Sequence, residues 1–160
     1  GHTRFNPNFY RNGKVCLSVL NTWRGDSWTG CQTISSILLH LCTTLNKTPL
    51  CNEPGISNNH KDYKSYNSII EYKNYEIAIL AIIQKKIGIY PEIATQFSDE
   101  INDIIKTNLP KIIKNLEILL SMNSSPEILG TSLYNMKVNV DYSDLLSKFH
   151  EESKKLVSYN

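Results

Sequence analysis

An asparagine, proline, glycine or aspartate recurs every few positions from Asn6 to Asp26, and such a stretch sustains neither a regular helix nor a long strand. Loops and turns are expected there, with at most a short strand through Lys14 to Leu17. Irregular backbone concentrated in one place favours a site. The chain beyond it reads as helical. Thr33 or Ser35 can cap a helix in which Ile34, Ile37, Leu38, Leu41 and Leu45 repeat at helical spacing, a short element that should bury one face. A surface loop follows over Pro49 to Asp62, with a turn at Pro54-Gly55.

The next helix is expected to start near Asn67 and run to about Lys86. Ile69, Ile70, Tyr72, Ile77, Leu80, Ile83 and Ile87 supply its apolar face, and Gly88 supplies its stop. After Pro91, suited to a first helical turn, the row Ile101, Ile104, Ile105, Leu109, Ile112, Ile113, Leu116 and Leu120 continues through Pro110, which predicts a kinked helix or two abutting ones. Ser-Ser-Pro and Gly130 mark a linker between Met122 and Val140, where Leu133, Met136, Val138 and Val140 could alternate on a short strand. A last amphipathic helix is expected from Ser143, with Leu145, Leu146, Phe149 and Leu156 on one side. The expected division is therefore 1–122 for the main domain and 123–160 for a linker and C-terminal helix.

With 160 residues, 41% of them hydrophobic, the chain can bury one core. A net charge of +2 without a basic block lacks the electrostatic footprint of a nucleic-acid binder. No apolar run approaches the roughly 20 residues of a membrane span, so neither nucleic acid nor membrane is an expected partner. Cys16, Cys31, Cys42 and Cys51, spaced by 15, 11 and 9 residues, form no Cys-x-x-Cys pair for zinc. A long chain with so few cysteines is expected in a reducing, intracellular setting, cytoplasmic or nuclear. His2, His40, His60 and His150 have no partners at metal spacing, and no metal or cofactor is expected.

The most specific pattern is Asn6-Pro-Asn-Phe-Tyr-Arg-Asn-Gly-Lys-Val-Cys16-Leu-Ser, in which Asn8 and Cys16 sit eight residues apart across a turn. It resembles the ubiquitin-conjugating (E2) pattern of His-Pro-Asn, then Asn-Gly, then Val-Cys-Leu. Trp28-Thr29 before a helix opening Thr33-Ile-Ser resembles the Trp-Ser-Pro-Ala stretch of ordinary E2 enzymes. Asn-Thr-Trp23, Asn52-Glu-Pro-Gly55 and Tyr66-Asn67-Ser-Ile69 look more like the giant Apollon (Bruce) type. The resemblance is sharp over residues 4–56, fainter to about residue 120 and absent beyond. It implies the C-terminal part of an α+β UBC-like fold, here mostly α-helical, with an irregular active-site loop and little strand.

What the resemblance implies chemically is acyl transfer. Cys16 would carry ubiquitin as a thioester, because sulfur is both a good nucleophile and a good leaving group. Asn8 would stabilise the tetrahedral oxyanion or support the loop. Glu53, with Asn52 beside it, would be the acid that assists deprotonation of the incoming lysine. The implied partners are ubiquitin, an E1 activating enzyme, a substrate lysine and, where transfer needs one, an E3 ligase. The Cys16 thiol is expected in an accessible groove near the Asn8 amide, with Trp23 and Trp28 bracing its rim.

Two departures from the family pattern carry expectations. Asn6 stands where the family has histidine, which removes a ring that normally fixes the loop by hydrogen bonding. An E2 domain also begins with a helix and three strands before this motif, whereas here few residues precede it. That implies a piece of a longer domain, with exposed apolar faces and without the helix that binds E1 and E3. The alternatives are a catalytically idle E2-like fragment that binds partners, and a cysteine hydrolase built from Cys16, His60 and Asn52.

Overall fold

The computed structural model describes residues 2–84 and 95–158. The chain divides into two units, Gly1–Ile70 with Leu129–Val138 and Glu71–Ile128 with Asn139–Asn160. Neither unit ends at the 122/123 division expected from the Ser-Ser-Pro signal.

In the first unit the chain opens with a loop pinned by two isolated antiparallel bridges, Asn6 with Phe9 and Phe9 with Val15. Lys14 to Leu17 supplies only that bridge at Val15 and no continuous strand. A 3-10 turn over Ser18–Leu20 follows, and Asn21 leaves it in the left-handed region at φ 56°. Helix α1 (Ile34–Thr44) is capped by Thr33, whose side chain accepts from the Ser36 backbone in a capping box. None of its residues is buried, with Ile34 77% and Leu39 66% exposed, so the expectation that it buries one face is overturned. Periodicity shows which side of a helix is apolar; whether anything covers that side depends on the rest of the fold. A second 3-10 turn over Pro49–Asn52 buries Pro49 and Leu50.

Helix α2 (Tyr63–Lys73) starts earlier than Asn67, because the Asp62 carbonyl already accepts from Tyr66 N–H at 2.8 Å. It continues into a π-helical stretch, Asn74–Leu80, and an α-helical turn, Ala81–Ile83. Ile69, Ile70, Tyr72 and Leu80 are buried as expected, but Ile77 is 41% exposed. Ile77 lies within the π stretch, where i→i+5 bonding widens the turn and shifts the register of the apolar row. Lys86, Ile87, Gly88 and Pro91 lie outside the described residues.

The second unit is organised around α3 (Ser98–Met122) and α4 (Tyr142–Ser158), which pack on each other. α3 is one continuous helix with Pro110 inside it, not two abutting ones. It buries Ile105, Leu109 and Leu116, and Ile104 is 63% exposed. On α4, Leu145 and Phe149 are fully buried. The Tyr72 and Tyr142 rings meet edge to face at 5.4 Å. Burial pushes the Tyr72 phenol up to about 12.

The stretch read as a linker is a two-stranded sheet of β1 (Glu127–Thr131) and β2 (Met136–Val140). The connection of 132–135 is short enough only for an antiparallel hairpin. Met136, Val138 and Val140 alternate inward as expected, whereas Leu133 belongs to the turn. β1 carries no clear strand signal in the sequence because Ser-Ser-Pro and Gly130 flank and interrupt it with turn residues. Among the described residues no helix is long and apolar enough to cross a membrane. Truncation of Phe149 to alanine is expected to cost about 3–5 kcal/mol, read as a lower urea midpoint at an unchanged slope.

Candidate active site

The loop around Cys16 is built from backbone pairing and buried amides. Cys16 N–H donates to the Asn8 carbonyl at 2.9 Å, and Asn8 Nδ2 donates to the Cys16 carbonyl at 2.8 Å. The two residues are thus doubly tied across the turn. The loop between them reverses at Asn12-Gly13: Lys14 N–H donates to Asn12 Oδ1 at 3.1 Å, and Gly13 takes a φ of 87°, which L side chains resist. Gly25 is required for another reason, since at φ 129° a Cβ there would lie 3.0 Å from Ser18 Cβ.

Cys16 is 3% exposed and Asn8 4%. The expected accessible groove is therefore not present at the thiol, although the Asn8 amide is at Cys16 as expected. That amide is spent on a backbone carbonyl, and Asn8 Oδ1 is buried without a partner among the described residues. In this geometry Asn8 supports the loop. Trp28 is 44% exposed, so it does not brace the rim by burial; Trp23 is half-buried.

Asn6 overturns the expectation of a loop without its anchor. It is fully buried, its Oδ1 accepts from Asn8 N–H at 2.9 Å and from Asn52 Nδ2 at 3.3 Å, and its Nδ2 donates to the Thr44 carbonyl at 3.0 Å. One side chain joins the motif loop, the end of α1 and the 3-10 turn. Asn52 completes the set by donating to the same Thr44 carbonyl at 3.0 Å and accepting from Asn46 Nδ2 at 2.9 Å. Its bonds are those of a brace.

Arg4 belongs to the site without any motif to mark it. Its guanidinium donates to the carbonyls of Asn6 at 3.2 Å and Pro7 at 2.6 Å, and it lies over the Tyr10 ring at 3.6 Å. Tyr66, fully buried, donates its hydroxyl to the Arg4 carbonyl at 2.7 Å. Burial pushes that phenol well above its ordinary range. Glu53 is half-buried and accepts a hydrogen bond from the Tyr134 hydroxyl.

His60 Nδ1 accepts from Asp62 N–H at 3.1 Å, and no described bond joins it to Cys16, so the hydrolase arrangement of Cys16, His60 and Asn52 is not assembled. Cys31, Cys42 and Cys51 are free, as is Cys16. No group of three metal-ligating side chains occurs among the described residues.

The sequence model of the family "Ubiquitin-conjugating enzyme" matches residues 2–76, the segment that holds this loop, both amide braces and Glu53. Residues 2–76 thus resemble part of a ubiquitin-conjugating enzyme domain. Among its relatives, ubiquitin-conjugating enzyme E2 Z of Danio rerio is 43% identical over 92 residues, 55% of this chain and 28% of that protein. The Homo sapiens protein of the same name is 44% identical over 85 residues, 52% of this chain and 24% of that one. The dual E2 ubiquitin-conjugating enzyme/E3 ubiquitin-protein ligase BIRC6 of Homo sapiens is 44% identical over 80 residues, 45% of this chain and 2% of its own length. The chain spans about a quarter of the length of the E2 Z relatives. Its fold is accordingly a mostly helical part of the UBC-like α+β architecture.

Two outcomes follow for the first unit. Asn6→Ala would leave Asn8 N–H without its partner and take one of two bonds each from the Thr44 carbonyl and the Asn52 Nδ2, and is expected to lower stability by about 1–3 kcal/mol, measured by chemical denaturation. Asp62 gives an acid dependence: burial raises its pKa, but bonds from the Leu133 and Ser132 backbones outweigh it and hold the carboxyl below its ordinary 3.8. A depressed carboxyl contributes stability above its unfolded value and loses it as pH falls through the folded one. Melting temperature should therefore fall on acidification below about pH 4, and less steeply in Asp62→Asn.

Proposed function

We propose that Cys16 accepts ubiquitin from an E1 as a thioester and passes it to a lysine amine. The observation that carries this reading is the double tie between Asn8 and Cys16, which sets the asparagine of the E2 motif directly against the backbone of its cysteine. In charging, Cys16 Sγ attacks the thioester carbonyl carbon on E1; the new C–S bond forms as the old one breaks, and the E1 sulfur leaves as thiolate. In discharge, the lysine nitrogen attacks the same carbon, the C–N bond forms, and the bonding pair of the C–S bond returns to Cys16. The nitrogen sheds its proton to a base, for which Glu53 is the candidate.

A buried thiol is out of reach of an E1-bound thioester, so on this reading charging follows a local opening at Cys16. Asn8 acts first as loop support, and its amide becomes an oxyanion donor only if it leaves the Cys16 carbonyl. The partners are ubiquitin, an E1, the substrate protein and, where transfer needs it, an E3. The setting is intracellular, where four free cysteines stay reduced.

The burial of Cys16 also favours a second reading, an E2-like piece that binds partners without carrying an acyl group. Incubating the full-length protein with E1, ubiquitin and ATP discriminates the two. A ubiquitin adduct that thiol reductant removes, and that Cys16→Ser turns into a reductant-resistant ester or abolishes, is the expected outcome. No adduct from a folded protein leaves the binding reading.

A further inference from the structure

Tyr134 lies outside residues 2–76, yet it makes a hydrogen bond to Glu53 across 81 positions of sequence. Its conformation is unusual. Tyr134 has φ 64° and ψ 5°, and Asn135 has φ 45°, a left-handed pair in the turn between β1 and β2. A bulky side chain there is strained and persists only where its surroundings over-determine it.

Those surroundings can be named. The Asp62 carboxylate accepts from Leu133 N–H at 2.7 Å, Thr131 Oγ1 donates to the Leu133 carbonyl at 2.7 Å, and Arg11 donates to the Tyr134 carbonyl. The Tyr134 ring lies against the Arg4 guanidinium at 4.9 Å and the Tyr66 ring at 6.0 Å. Glycine or asparagine would relieve the backbone strain at this position, but neither carries a phenol. What the strained turn secures is a hydroxyl donating to Glu53.

We propose that Tyr134 is the positioning residue for lysine discharge: its hydroxyl fixes the Glu53 carboxylate so that one oxygen is held and the other receives the proton of the incoming amine. This rests on the reading of Glu53 as the base in ubiquitin transfer. The Glu53 backbone is already set, since its N–H donates to the Leu50 carbonyl at 3.1 Å and its carbonyl accepts from Ile56 N–H at 3.1 Å. Its side chain is the freedom left, and the phenol engages Oε2, leaving Oε1 as acceptor. Burial first, and then the Glu53 carboxylate, push the Tyr134 hydroxyl far above its ordinary range, so it remains a donor throughout neutral pH. The proton passes from lysine to Glu53 and then to water, and Tyr134 neither gains nor loses one.

The test is single-turnover discharge in the full-length protein. Wild type, Tyr134→Phe, Glu53→Gln and the double variant are charged with E1, ubiquitin and ATP; charging is stopped, free lysine is added and thioester loss is followed against lysine concentration. Tyr134→Phe keeps the ring over Arg4 and should charge to the wild-type end point but discharge on the order of tenfold more slowly at saturating lysine. The defect should disappear in the Glu53→Gln background, and 3-fluorotyrosine at 134, which restores the hydroxyl, should recover the rate. Wild-type discharge by Tyr134→Phe, an equal defect with and without Glu53, or loss of charging in Tyr134→Phe each overturns the positioning role. Absence of any Cys16 thioester in the wild type overturns the transfer reading itself, and this inference with it.

Discussion

The first unit depends on one buried carboxamide. Asn6 is enclosed completely and serves three partners from three segments, the Asn8 backbone, the Thr44 carbonyl and the Asn52 side chain. The amide chemistry suits that number: its oxygen can accept twice while its nitrogen donates. A neutral imidazole offers one donor and one acceptor, so the ring expected here by family resemblance could not serve the same three groups. The departure from the family pattern is thus an exchange of one anchor for another, with Asn52 recruited as the additional partner.

The same amides explain how α1 is held. Eleven residues are too few for a helix to be stable alone in water, and α1 buries none of them. Its ends are fixed instead. Thr33 and Ser36 satisfy the N-terminus through the capping box, while the Thr44 carbonyl, an orphan of the last turn, accepts from both Asn6 and Asn52. A helix secured at its termini can leave Ile34, Leu38 and Leu39 on the surface and remain in register with the loop that carries Cys16.

Where residues act through their neighbours in sequence, the chain is readable. The Thr33 cap, the turns at Asn12-Gly13 and Pro54-Gly55, the alternation of Met136, Val138 and Val140, and the buried face of α4 all follow from spacing and side-chain chemistry. The pairing of Asn8 with Cys16 is legible for the same reason, since a turn brings residues eight apart together. What escapes depends on distant partners. Asn52 reads as a possible companion to an acid and proves to be a brace, because Asn6 and Thr44 are fixed only by the fold. Glu53 reads as a solvated loop acid or a base, and nothing local announces a phenol from the β1–β2 turn.

Arg4 shows how far the site extends beyond its motif. A cation that holds two loop carbonyls must keep its charge compensated by oriented dipoles and ring faces, since no carboxylate is bonded to it among the described residues. The Tyr10 ring comes from within the motif, but the Tyr134 ring comes from the hairpin, and Met136 Sδ accepts from Arg4 N–H at 3.4 Å. The surroundings of the loop around Cys16 therefore extend beyond residues 2–76. The loop carbonyls are clamped by an arginine that also meets the Tyr134 ring, from the segment 129–138 of the same unit. The guanidinium thus touches both the motif loop and the hairpin turn, whose strained Tyr134 is held in addition by the turn's bonds to Asp62, Thr131 and Arg11.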